Sequence, residues 1–429
     1  MFISVDALSN ALPVSAIMLA MVLFALTGLK HPWPLTAMAL ISLVIVPFWM
    51  GAAVSIFFVS GHLALMLLSI VSVAAESREK LQFTLPDIIL TSVLLVTLVC
   101  FVLGLVGITQ VYSFFQWMAA YWFARIVSTV YGIPRLATIL AIATPVVAML
   151  LLYETASGQN VFLDYLSMNN DQFRQWSGQQ IRGDAIRAEG PFGHSIAAGS
   201  SLAVFAILSL DARLRFRTRL ILVVVICAGI AATISRISFV TVGLGIAVVL
   251  LLARSSLHRK QKLTIVALVV PLVIAVQPLL GSVFADSGDE ATNSAAYRTW
   301  ILDLVGTLEP FGFASSFGRS TSGTTSFGDF GSIDNAVLFY ALTNGWVPAA
   351  ILLALLLAAV FQLLRGNGGV ATAALVAQIP AMFTVALITS YSHVLWISAG
   401  LAVTELHAAA LRHQPSLPSA PRRQLVDSY

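Results

Sequence analysis

Three arginines carry the first chemical reading of this sequence: Arg187, Arg236 and Arg298 each stand within a few residues of an apolar run. A guanidinium keeps its charge in low dielectric and grips phosphate oxygens through a planar fork of donors. Gathered at a membrane surface, such groups would hold a diphosphate and stabilise the charge that develops on it as it leaves, without a metal. Glu189 and His194 flank Gly190-Pro191-Phe192-Gly193 beside the first arginine, and either has the chemistry to accept a proton from a sugar hydroxyl. Asp334-Asn335 opens a later apolar run and offers a further base or a hydroxyl contact, although the pair also suits a helix N-cap. Arg182 joins the arginines as a binding candidate. The plainer readings are a snorkelling or capping role for Arg236, an ion-pair partner of Arg187 for Glu189, and a helix-start residue for His194.

These residues need a scaffold, and composition says what kind. Of 429 residues, 59% are hydrophobic and only 10% charged, a balance that fits a polytopic helical membrane protein. Crossing ~30 Å of hydrocarbon takes about 20 apolar residues. Such runs lie at 11–29, 35–51, 53–75, 87–109, 112–131, 136–154, 192–212, 219–235, 237–253, 263–281, 335–363, 370–389 and 391–411. An all-α fold of about 12 or 13 spans is therefore expected. The runs are apolar on every side, which excludes a barrel of alternating strands. The first run lacks a basic leader and a small-residue cleavage site, so it is expected to stay. Cys100 and Cys227 fall inside runs and read as small core residues.

Charge sets the expected orientation. With the N-terminus outside, 17 of the 23 basic residues, every lysine among them, fall in cytoplasmic loops. The other six, Arg174, Arg182, Arg187, Arg236, Arg298 and Arg319, fall outside, where topology gives arginine no reason to be. Basic residues arranged by topology leave no nucleic-acid role. Two outside loops, about 156–191 and 282–334, are long enough for short interfacial helices and a lid, and Gly- and Ser-rich 312–332 reads as a mobile flap. Residues 1–411 are expected to form one transmembrane domain, and 412–429 a disordered cytoplasmic tail. No cluster has credible metal-ligand spacing, so no metal or other cofactor is expected.

At these residues the chain resembles the O-antigen ligase/polymerase superfamily of bacterial inner-membrane proteins. The matching pieces are Arg187-Ala-Glu-Gly-Pro-Phe-Gly-His194, Ile234-Ser-Arg-Ile-Ser-Phe239, Tyr297-Arg-Thr-Trp300, Pro310-Phe-Gly-Phe-Ala314, and Asp334-Asn335 followed by Gly345. The resemblance implies a GT-C-like glycosyltransferase working at the periplasmic face on glycans carried by undecaprenyl diphosphate. It carries Arg187, Arg236 and Arg298 over as donor-binding candidates. Ligases of the family place a histidine in the second large loop, near the following span. Here Asp334-Asn335 stands at that place and the loop holds no histidine. Polymerase is therefore the first reading, for an exopolysaccharide, capsule or O-antigen, with membrane lipids and a chain-length regulator as partners. A ligase that transfers glycan to lipid A-core is the alternative, beside a protein-glycosylating relative and a transporter of lipid-linked glycan.

Overall fold

Long apolar runs without alternation close their backbone hydrogen bonds internally as helices, and the chain does so nearly throughout. The computed structural model describes residues 31–54, 57–77, 81–182, 185–268, 297, 299–319 and 325–413. Helix α1 (Pro32–Ile45) leads into a hairpin of β1 (Gly51–Val54) and β2 (Phe57–Ser60), antiparallel with Gly51 opposite Ser60. Then come α2 (Gly61–Ser77), α3 (Leu85–Val102), α4 (Ile108–Tyr131) and α5 (Ile133–Ser157). The first loop holds short α6 (Val161–Tyr165), α7 (Asp171–Trp176) and a two-residue hairpin of β3 (Ile181–Arg182) with β4 (Ala185–Ile186). Helices α8 (Ser195–Ser209), α9 (Phe216–Ala232) and α10 (Arg236–Leu251) follow. Beyond them lie a 3-10 helix (Ile301–Thr307), the hairpin β5 (Phe317–Arg319) and β6 (Thr325–Phe327), and α11 (Ala336–Asn344) to α12 (Trp346–Leu364). Short α13 (Val370–Val376) and α14 (Ile379–Met382) precede α15 (Tyr391–His413).

Among the described residues, four helices are long and apolar enough to cross a membrane: Leu85–Val102, Ile133–Ser157, Trp346–Leu364 and Tyr391–Arg412. Shorter apolar helices run over Pro32–Ile45, Gly61–Ala74, Ser195–Ser209, Arg236–Leu251 and Val370–Met382. The chain is a helical membrane protein. Of the expected spans, 11–29 lies outside the described residues, and 263–281 is described only to 268.

The expected spans 35–51 and 53–75 are two helices, with the β1–β2 hairpin between them, whereas the single span expected over 370–389 is two short helices and a turn. The run 335–363 breaks at Gly345, whose φ is +97°. A Cβ at Gly345 would lie 2.4 Å from the Pro310 carbonyl oxygen, because the backbone of the second loop packs there. That loop takes up the freed donors: Trp346 N–H bonds Glu309 O at 2.9 Å and Val347 N–H bonds Pro310 O at 3.2 Å. The expected flap is also packed where it is described. Phe313 and Phe317 stack at 3.9 Å, and Ala314 N–H bonds Leu342 O at 2.8 Å. Residues 320–324 and the tail from 414 lie outside the described residues.

Helix α8 is the centre of the core, with neighbours α5, α9, α10, α13 and α15. Small side chains at Ala197, Ala198, Gly199, Ser200, Ser201 and Ala203 let those neighbours come close. At Gly199 a Cβ would lie 2.4 Å from Ser238 Oγ. The close fit fixes the N-terminus of α8, and with it the segment just before, against the start of α10. At the other end of the helices, Arg125 grips Asp87 with both sides of its guanidinium, Nε to Oδ1 at 2.9 Å and Nη2 to Oδ2 at 2.8 Å.

Candidate functional site

The segment Arg187–Ser195 is held from four sides. Arg187 N–H bonds Gln180 O at 3.0 Å, and Ala188 N–H bonds Ala232 O at 3.1 Å. Pro191 O accepts from Phe48 N–H at 3.3 Å. Gln180 Oε1 accepts from the Ser195 hydroxyl at 2.6 Å. The fourth hold is Glu154, at the end of α5. Its Oε2 accepts Gly190 N–H at 2.9 Å and its Oε1 accepts Glu189 N–H at 3.2 Å. Glu154 Oε1 also takes Asn160 Nδ2–H at 3.2 Å, so one buried carboxylate organises the turn and the cap of α6 together. Gly190 and Gly193 have φ of +51° and +62°, conformations that other residues seldom adopt. At Gly193 a Cβ would also lie 2.7 Å from Phe48 Cε1.

The same hydrogen bonds bring two of the three arginine segments together. The backbone of Arg187-Ala188 lies along the turn joining α9 to α10, and Arg187 Nε–H reaches Thr233 O at 3.4 Å. Three residues further on, exposed Arg236 begins α10. Ser235, not Arg236, is the N-cap: its Oγ accepts Ser238 N–H at 3.4 Å. Between them Ile234 has φ +49°, a strained conformation for a β-branched residue, and such strain persists where the surroundings over-determine it, commonly at functional sites. Arg182 lies on β3 opposite Ala185, close along the chain to this strip.

Glu189 is 0% exposed, and neither of its carboxyl oxygens has a hydrogen-bond partner. Burial first, and then the Glu154 carboxylate, push its pKa up to about 8, with Arg187 pulling the other way. Burial holds the acid toward its neutral form, which suits it poorly to taking a proton from an incoming hydroxyl. His194 is the N-cap of α8, and its Nδ1 accepts Ile196 N–H at 3.2 Å. In the neutral ring that leaves the proton on Nε2, a donor face. The helix-start reading describes it.

The remaining candidates lie elsewhere. Arg298 falls outside the described residues. Its neighbour Tyr297 donates its hydroxyl to the Ser332 carbonyl, which ties that stretch to Ser332-Ile333-Asp334. Asp334 is exposed. Asn335 is buried, and its side-chain oxygen accepts Leu338 N–H at 2.9 Å, which is the N-cap of α11. A cavity of about 390 Å³ nearby is lined by Phe48 and by Gln172 of the first loop, and by Ala336 and Phe339 of α11. Phe48 packs edge-on to Trp176, and Trp176 edge-on to His194, which carries the first-loop wall back to the arginine segment.

Two groups escaped the sequence reading, Glu154 and His62. Both carried the signal that was applied to the arginines, an ionisable side chain at the edge of an apolar run. Comparison with protein-family models, curated proteins and solved structures finds no match for the chain.

Proposed function

We propose that the chain is a bacterial inner-membrane glycosyltransferase that polymerises undecaprenyl-diphosphate-linked repeat units at the periplasmic face. The observation that carries this reading is the strip formed by Arg187-Ala188 and the Ala232–Arg236 turn, where two arginine segments distant in sequence share backbone hydrogen bonds. Two guanidinium groups carried on adjoining segments suit a diphosphate at headgroup depth. In the proposed reaction an acceptor hydroxyl oxygen bonds to the anomeric carbon of the donor sugar and its proton passes to a base, for which exposed Asp334 is the remaining candidate. The bond from that carbon to the diphosphate breaks, and the diphosphate leaves with the electron pair. Arginines that bind it more tightly as its charge grows lower the barrier. Nothing in the step calls for a metal at this site.

The test is polymer formation in cells. Arg187→Ala and Arg236→Ala should each reduce it by about 10²–10³, the size of effect seen when one preorganised charge-stabilising donor is lost. Protein level and insertion should stay at those of the parent. Arg→Lys at either position should also impair, since an ammonium lacks the planar fork. Single repeat units should accumulate on a gel; unattached long polymer would point to a ligase instead. Normal polymer in both alanine variants would exclude the clamp.

A further inference from the structure

We infer that the cavity lined by Gln172 of the first loop and by α11 is a binding subsite for an uncharged, hydroxyl-rich sugar ring, built around a pair of hydrogen-bonded histidines. His62, at the start of α2, and His393, at the start of α15, are 1% and 5% exposed. Their rings meet edge to face at 4.9 Å, and His62 Nε2 lies 3.3 Å from His393 Nδ1. Ser60 Oγ is a second neighbour of His62 Nε2, at 3.1 Å. The far nitrogens, His62 Nδ1 and His393 Nε2, have no hydrogen-bond partner in the protein, and both residues line the cavity.

That arrangement fixes what the pair offers. A hydrogen bond between two neutral imidazoles needs one N–H and one bare nitrogen. If His62 Nε2 carries the shared proton, His62 Nδ1 is bare and His393 Nε2 carries a hydrogen. If His393 Nδ1 carries it, the two ends swap. In either tautomer the pair presents one donor and one acceptor. A hydroxyl is also one donor and an acceptor, so the pair matches a sugar hydroxyl or two adjacent ones. A buried polar atom left unpaired costs about 1–3 kcal/mol, so these two nitrogens, kept buried, point to a ligand that satisfies them.

The rest of the wall agrees. Gln116, Tyr112, Ser390 and Ser392 add amide and hydroxyl groups, and Trp117 and Phe339 add ring faces for the apolar side of a pyranose. Among the described residues lining the cavity there is no Arg, Lys, Asp or Glu. A phosphate would find no cation there, so the ligand differs from the one proposed for the arginine strip. The volume, about 390 Å³, is within the ~300–1,000 Å³ typical of small-molecule sites. A second strained residue, Thr389 at φ +49°, sits on this wall with its Oγ1 buried and unpartnered. Among the described residues the two positive-φ side-chain-bearing positions are Ile234 at the arginine strip and Thr389 here.

That the sugar is the acceptor rests on the polymerase reading; that it is a neutral sugar does not. The test uses the full chain purified in a detergent without sugar headgroups. It is titrated with methyl glycosides of glucose, galactose and N-acetylglucosamine, and separately with inorganic diphosphate. Trp117 on the cavity wall gives a fluorescence signal, and the thermal midpoint gives a second. At least one glycoside should give a saturable response that weakens about tenfold or more in His62→Ala and His393→Ala. His62→Gln and His393→Gln, which keep a donor and an acceptor, serve if an alanine variant fails to fold, and should lose less. The diphosphate response should survive the histidine changes and weaken in Arg187→Ala. No saturable response to any glycoside, or one unchanged in the histidine variants, overturns the subsite. A glycoside response without any diphosphate response overturns the clamp and leaves the subsite standing.

Discussion

Asp87 and Glu189 are equally buried carboxyl groups, and the protein provides for them in opposite ways. Asp87 accepts two bonds from Arg125, one from the Tyr121 hydroxyl at 2.5 Å, and two from Thr84, through N–H and hydroxyl, each at 2.7 Å. Glu189 receives none on its side chain. The first is a finished structural ion pair, capping α3 and tying it to α4. The second is the middle of a segment whose backbone is held tightly while its acid is left unsatisfied. Polar groups that serve the fold use up their bonding capacity. Glu189, His62 and His393 are among the buried side chains that keep unsatisfied atoms.

Breaking the finished pair should have the largest effect on stability. Asp87→Ala or Arg125→Ala strands a buried charge and should cost about 3–5 kcal/mol, measured as a loss of thermal stability in detergent. The double variant should cost less than the sum of the single ones. Near-additive losses would mean that the two groups act independently.

Glu154→Ala comes next. It removes the acceptor for two backbone N–H groups and for Asn160, and should destabilise by about 2–4 kcal/mol. It should also reduce polymer, because the arginine segment loses its hold. Full polymer with reduced stability would separate the turn from the site.

Glu189→Gln sharpens the contrast through pH. The folded pKa of Glu189 lies near 8, above its ordinary 4.5. Below pH 4.5 the acid is neutral in both states and costs nothing. As pH rises toward 8 the unfolded chain ionises first, so the wild-type protein loses stability, and above 8 the loss levels off. Glutamine cannot ionise in either state. Its advantage should therefore be near zero at pH 4.5 and grow to at most a few kcal/mol by pH 8.5. Identical thermal profiles across that range would show that Glu189 is not held neutral. The smallest change is His194→Ala, which removes one N-cap and should cost about 1 kcal/mol. A far larger loss of polymer than of stability there would restore His194 as a chemical group.

Much of the scaffold could be read from periodicity and hydropathy. The runs 112–131, 219–235, 237–253 and 391–411 coincide closely with α4, α9, α10 and α15. The expectation failed where a break comes from tertiary contact. Gly345 ends a helix because Pro310 lies against it, and hydropathy averaged along 335–363 cannot register a neighbour from another loop. The proposed site was marked in the sequence by charge. Arginine in outside loops singled out Arg187 and Arg236, and their segments do meet. Glu154 and His62 were not picked out, because each looks like a lone polar residue at the edge of an apolar run. What distinguishes them is the partner reached through the fold: Gly190 for one and His393 for the other. Asn335, equally conspicuous in sequence, turns out to be a cap.

The most direct measurement is turnover of purified lipid-linked repeat unit by the protein carrying Arg236→Ala, with the Asp87–Arg125 pair intact and the thermal midpoint unchanged. A diphosphate clamp requires the rate to fall by about 10²–10³ and lysine to restore little of it. Turnover at the wild-type rate in a stable Arg236→Ala protein would contradict the clamp.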